Sequence, residues 1–137
     1  MESCFDFTNC KNDFKVYIYK SQPEQKLSTT YSKIIQIIKE SKYYTEDPKA
    51  ACIFIPSLDT LDRDKLSTDF VEGLGPKITA QPFWNDGRNH LIFNLFSGTW
   101  PDYSEYLGFD INQAILAKAS FSLYTYRSGF DISLPLF

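Results

Sequence analysis

The sequence predicts an α/β fold, a parallel sheet with helices on both of its faces. Three observations carry that prediction. Short β-branched and aromatic runs alternate with an amphipathic stretch and a capped apolar segment, giving the order β-α-β-α-β-α-β. Two of the runs, ACIFI and HLIFNLF, are continuously apolar or nearly so, as expected of strands buried on both faces. No internal repeat or low-complexity block interrupts the 137 residues, about one domain's length.

The elements follow in order. Phe14 to Tyr19 (FKVYIY) is a strand, with Pro23 soon after it. Tyr31, Ile34, Ile35 and Ile38 fall on one helical face, with Lys33, Lys39 and Glu40 between them, so a helix runs to about Ser41 and Asp47-Pro48 marks its exit. Ala51 to Ile55 is the second strand. Ser67 to about Gln81 is a weaker helix, because Gly73, Gly75 and Pro76 oppose it. His90 to Phe96 is the third strand. Asp110 is placed as an N-cap before Ile111, Ala114, Ile115 and Lys118, with Gln113 at the capping-box position, which predicts a third helix. Phe130 to Leu136 closes the series as a strand that Pro135 confines to an edge or an end.

Composition narrows the function classes. Fourteen basic and 17 acidic residues leave a formal charge of −3, so no basic stripe advertises nucleic acid. Hydrophobic content of 43% and aromatic content of 17% argue against disorder. No apolar run approaches the roughly 18 residues of a membrane span, and MESCFDFTNC lacks the basic start and apolar stretch of a secretory signal. Cys4, Cys10 and Cys52 fit no common zinc or redox spacing. They are either buried thiols or one disulfide with a thiol left over. No G-x-G-x-x-G and no P-loop motif occurs.

In a parallel α/β sheet, ligands gather past the carboxyl ends of the strands. PSLDTLDRDKL follows ACIFI, and SGTWPDY follows HLIFNLF, so both loops belong to that edge. Trp84 to Asn89, which enters its strand, belongs to the opposite edge and is read as structural, Arg88 and His90 with it. Asp62-Arg63-Asp64 has the form of a pair that holds a divalent metal on a nucleotide-sugar diphosphate, or simply of a helix cap. Asp59, Asp62, Asp64, Asp102 and His90 are the candidate general bases on or near the functional edge. Trp100-Pro101-Asp102-Tyr103 offers aromatic faces for sugar C–H groups and a carboxylate for hydroxyls, on backbone stiffened by proline. The competing reading is an aromatic loop that closes the core.

MESCFDF, LDTLDRDKLS, FWNDGRNHLIFNLFSGTWPDY, FDINQAILAKAS and FDISLPLF together resemble the amino-terminal part of the exostosin glycosyltransferase domain, from Met1 to Phe137. The resemblance implies the amino-terminal lobe of a two-lobed GT-B glycosyltransferase, with a cysteine-bearing stem remnant over 1–13 and the lobe over 14–137. It implies transfer of glucuronic acid from UDP-glucuronic acid to a growing heparan sulfate chain, with inversion and without a metal. The co-substrate would be bound mainly by a donor lobe that this chain does not match. Tyr103, Leu66, Trp100 and Asp102 would then line the acceptor groove, with Asp59, Asp62 and Asp64 as weak catalytic candidates. The resemblance removes the metal reading of Asp62 and Asp64. It also implies that Cys10 pairs with Cys52, a closure worth about 3–4 kcal/mol on the chain-entropy account, and that Cys4 pairs with a cysteine upstream. A second exostosin subunit and a Golgi membrane location, through an anchor outside this stretch, are further implications. Against the family pattern the chain is expected to be an excerpt, inactive in isolation. The alternative is a non-catalytic half-domain that binds sugar or pairs with another subunit.

Overall fold

A computed structural model describes residues 4–61, 73–95, 107 and 109–135. In chain order the elements are β1 (Val16–Ile18), α1 (Thr29–Glu40), β2 (Tyr44–Thr45), β3 (Ile53–Ile55), α2 (Leu74–Thr79), a 3-10 turn (Asn85–Gly87), β4 (Leu91–Asn94), β5 (Ile115–Lys118) and β6 (Ile132–Ser133). All strand pairs are parallel, in two three-stranded sets ordered β2-β1-β3 and β4-β5-β6. A parallel bridge between Phe54 and His90 joins β3 to the start of β4, supported by the Phe54 amide donating to the Asn89 carbonyl at 2.8 Å. The order across the joined sheet is therefore β2-β1-β3-β4-β5-β6.

Register determines which side chains share a face. Val16 pairs with Ile53 and Ile18 with Ile55, and these four side chains meet Tyr31 and Ile35 of α1. Tyr17 pairs with Phe54 on the opposite face, which continues through Ile92 and Leu116. There Leu74 and Ile78 of α2, with Trp84 and Leu107, complete a second core. With α1 on one face and α2 on the other, the sheet is doubly wound, which explains why its strands read as apolar runs without alternation.

Helix α1 starts where Ser28 accepts the Tyr31 amide at 3.1 Å and stops at Ser41, which leaves the helical region of backbone space. Its buried face is Tyr31 and Ile35, each contributing about 1.5–3 kcal/mol by burial. Substitution of Ile35 by alanine would open that face.

The third predicted helix is absent. Asn112 takes a left-handed turn (φ 48°), and Ile115–Lys118 continues as β5, paired with β4 from Leu91↔Ile115 to Asn94↔Lys118. Helical spacing of Ile111, Ala114, Ile115 and Lys118 was misleading because Ala114–Ala117 is also an unbroken apolar run, and lodging it between β4 and β6 buries more of it. Gln113 is not a capping residue. Its amide donates to the Asp86 carbonyl at 3.0 Å, and its side chain bridges Asp86 and Arg88. Gly87 makes this docking possible: at φ 81°, a Cβ would sit 2.7 Å from both the Ala114 nitrogen and the Ile111 oxygen. Several other elements are shorter than predicted. The last strand is only Ile132–Ser133, ahead of Pro135, and the second helix keeps only Leu74–Thr79. Its predicted first part, 67–72, and the predicted strand end at Phe96 lie outside the described residues. Strand β2 was not predicted; two residues are too short to leave a periodic signal.

Candidate functional site

The two edges of the parallel sheet carry different chemistry. At the amino edge, Cys10 and Cys52 form a disulfide with Cα atoms 4.8 Å apart, tying the leading segment to the entry of β3. Asn89, in the left-handed region at φ 60°, accepts the Asp6 amide at 2.8 Å and donates to the carbonyls of Asp6 (2.7 Å) and Cys52 (2.8 Å). Asp6 itself is held below the usual carboxylate range, first by the Thr8 hydroxyl and then by the Thr8 amide.

His90 is wholly buried. Its Nδ1 lies 2.8 Å from the Arg88 carbonyl, so that nitrogen carries the proton; Nε2, 2.9 Å from the Tyr19 hydroxyl, then accepts. The ring stacks near Phe54 and Tyr19, and burial pushes its pKa down to about 4. Burial also raises the Tyr19 hydroxyl far above the ordinary tyrosine value. This histidine is neutral at physiological pH and part of the core.

A third knot holds β5 and β6. Asp131 accepts from the Leu116 amide at 3.0 Å, from Arg127 Nε at 2.8 Å and from Arg127 Nη2 at 2.6 Å, and the guanidinium also donates to the carbonyls of Asn112 and Ala114. Neither residue stood out in the sequence, because an Arg and an Asp four apart outside a helix have no distinctive pattern.

At the carboxyl edge the loop after β3 is anchored at several points. The Ser57 hydroxyl donates to the Tyr19 carbonyl, and the Tyr31 hydroxyl to the Pro56 carbonyl at 2.5 Å. Thr60 donates to the Phe93 carbonyl at 2.6 Å. Asp59 is placed where predicted, and both its carboxylate oxygens accept backbone amides: Ser28, the cap of α1, at 2.6 Å, and Leu61 at 3.1 Å. The Leu95 amide then donates to the Leu61 carbonyl at 2.6 Å. Leu61, within the first predicted site loop, and Leu95, two residues ahead of the second, are therefore hydrogen-bonded neighbours. Asp62, Asp64, Leu66, Trp100, Asp102 and Tyr103 lie outside the described residues.

Two residues that sequence reasoning missed stand at the same edge. Asn94 and Lys118 are register partners at the ends of β4 and β5, with exposures of 0% and 2%. The Lys118 ammonium lies 5.6 Å from the centre of the Phe121 ring, within cation–π range. A signal for Asn94 existed: His90, Ile92 and Asn94 alternate onto one face of their strand. Lys118 is the one charge in AILAKAS, and it was hidden by the helical reading of that segment.

Among the described residues no group of three or more His, Cys, Asp or Glu side chains could hold a metal ion, and no helix is long and apolar enough to cross a membrane.

A doubly wound parallel sheet with helices on both faces defines a Rossmann-like α/β lobe of the GT-B glycosyltransferase type. The family model for the Exostosin GT47 domain matches residues 10–137, and the chain belongs to that family. It is 58% identical to Exostosin-1 of Bos taurus, 59% to Exostosin-1a of Danio rerio and 55% to Exostosin-1 of Drosophila melanogaster, each over the whole of this chain. It spans 18% of the length of the first of these relatives and 19% of the other two.

Proposed function

We propose that this chain is the acceptor-side lobe, residues 14–137, of an inverting glycosyltransferase that moves glucuronic acid from UDP-glucuronic acid to a growing heparan sulfate chain. The donor lobe belongs to another part of the polypeptide, and residues 1–13 belong to a stem. The observation that carries the reading is the hydrogen bond between Leu61 and Leu95. It joins the roots of LDRDKL and SGTWPDY at the edge where an α/β lobe meets its ligand.

In this reading Trp100 and Tyr103 stack on acceptor rings, Asp102 accepts acceptor hydroxyls, and Leu66 forms the facing wall. Asp59, Asp62 and Asp64 are the candidates for a base, of which Asp59 already holds two amides. No metal takes part. The intact protein works in the Golgi membrane system, facing the lumen, beside a second exostosin subunit. The disulfide supports an oxidising compartment.

Tyr103→Ala in the complete enzyme should lower acceptor turnover by about tenfold, equivalent to roughly 1.4 kcal/mol of lost transition-state binding. UDP-glucuronic acid affinity should stay unchanged. Wild-type acceptor kinetics in that variant would remove Tyr103 from the groove.

A further inference from the structure

The connection from β5 to β6, residues 119–131, carries the two most exposed large apolar side chains among the described residues. Leu123 is 95% exposed and Tyr124 97%, with Tyr126 partly exposed beside them. The turn that bears them is nevertheless well tied. The Ser122 carbonyl accepts the amides of Thr125 and Tyr126, each at 3.1 Å, and the Ser122 hydroxyl accepts the Tyr124 amide at 3.2 Å. At its base the Phe121 ring packs on the second core and lies 5.1 Å from the Tyr126 ring. On the far side Arg127 is clamped by the Asp131 carboxylate and by two backbone carbonyls. Leu123 and Tyr124 are thus held out on a preformed turn, and a partner that covers them pays little for ordering the backbone.

Size, shape and charge choose the partner. Taking about 150–250 Å² for a fully exposed ring, Leu123, Tyr124 and Tyr126 together offer roughly 400 Å², whereas a stable protein interface takes about 800 Å² from each side. At such exposure Leu123 and Tyr124 also lack the rim of neighbours that keeps water from a protein hot spot. A lipid interface needs no rim. It takes up a protruding leucine below the headgroups and holds tyrosine among them, where the ring is in apolar surroundings and the hydroxyl is wet. Residues 119–130 contain no carboxylate to oppose this, and their single charge, on Arg127, is paired with Asp131.

From this we propose that the Leu123–Tyr124 turn is a membrane-contact tip that dips into the headgroup region of a phospholipid bilayer. So small a contact does not recruit a free protein; it acts on a polypeptide already tethered, whose effective concentration at the surface is high. The tether rests on the reading of the intact protein as membrane-anchored, and the tip on the residues of the turn alone. A lobe that touches lipid here has the β5–β6 side of its sheet turned toward the bilayer.

The test uses the full-length protein reconstituted with phosphatidylcholine vesicles, with the photoreactive substitution Tyr124→p-benzoylphenylalanine. The same label in place of Ile37, exposed on α1 over the opposite face of the sheet, is the reference. After irradiation, mass spectrometry of the labelled peptides should show lipid adducts about fivefold more abundant from the Tyr124 position. Adding phosphatidylserine should leave that yield unchanged, since the tip carries no net charge. Adding Leu123→Glu should lower it about fivefold, with an unchanged thermal midpoint because neither side chain is in the core. Equal yields from the two positions, adducts to protein in place of lipid, a requirement for phosphatidylserine, or indifference to Leu123→Glu would each overturn the tip. Flotation with the vesicles and glucuronate transfer are measured separately. Protein that floats and gives no lipid adduct loses the tip and keeps its anchor, and protein that does not float loses both. Absent transfer with adducts specific to the Tyr124 position would remove the acceptor-lobe reading and leave the tip standing.

Discussion

The two edges of this sheet are both rich in polar residues, yet those residues face different partners. At the amino edge, Asn89, His90, Gln113, Arg127 and Asp131 bond to the protein's own backbone or side chains, and a disulfide closes the same side. At the carboxyl edge the backbone is equally well anchored, through Ser57, Asp59 and Thr60, but the side chains of Gln22, Glu24, Gln25 and Lys77, on a groove beside it between the chain leaving β1 and α2, make no hydrogen bond or ion pair among the described residues. Asn-Asp-Gly-Arg-Asn-His and Ser-Gly-Thr-Trp-Pro-Asp-Tyr are comparably decorated as sequences. Strand direction separates them: the first enters β4 and the second follows it. A motif's polarity relative to its strand, and not its composition, is thus what assigns it to one edge or the other.

If the contrast is correct, changes at the amino edge cost stability and leave chemistry intact. The largest loss is expected from Asp131→Ala, which strands the Arg127 guanidinium and the Leu116 amide. It should cost about 3–5 kcal/mol in urea unfolding, with unchanged transfer kinetics in whatever remains folded. A kinetic defect at full stability would erase the distinction between the edges. Replacing Cys10 and Cys52 together by serine should remove about 4 kcal/mol, the closure entropy of a link across 42 positions, again visible as a lower urea midpoint.

His90 supplies a smaller, pH-dependent test. Its folded pKa of about 4 lies below the ordinary value of 6.5, so the unfolded chain takes up the proton first as pH falls. Its contribution is complete above pH about 6.5 and declines toward pH 4, amounting to about 2 kcal/mol lost by pH 5. Unfolding titrations at pH 7.5 and pH 5 should show that slope in the wild type and not in His90→Phe. The smallest change is expected at the carboxyl edge: Asp59→Asn should cost about 1–2 kcal/mol, because one of the two accepting oxygens becomes an NH2 donor and either the Ser28 or the Leu61 amide loses its acceptor. If transfer falls by far more than that stability loss explains, Asp59 is the base. If it does not, the base is sought in the loop that follows.

Much of this architecture was legible because burial on both faces leaves a plain mark. VYI and IFI read as strands, and the Tyr31–Ile38 spacing gave α1 nearly to its last residue. The failure at residues 110–118 has a physical cause. A segment of Ala, Ile, Leu and Lys has no strong local preference, and pairing with β4 decides it. The same error concealed Lys118, since a lysine on a helix is unremarkable while one buried in a central strand is not. Of the candidate site, the carboxyl edge followed from strand order alone, while the loop residues beyond Leu61 and Leu95 lie outside the described residues. The Leu61–Leu95 contact and the groove beside α2 did not follow from it, because both depend on residues distant in sequence coming together.

The placing of the disulfide has a consequence for biosynthesis. Both of its cysteines precede α2 and the whole β4-β5-β6 set. On a ribosome, which adds roughly 5–20 residues per second, β1, α1, β2 and β3 are complete and can be covalently clasped seconds before the last strand exists. The emerging chain can thus present β4 with a finished, locked edge at Phe54 on which to add, so that the later half of the sheet is built by accretion onto a template and not by a search among six free strands.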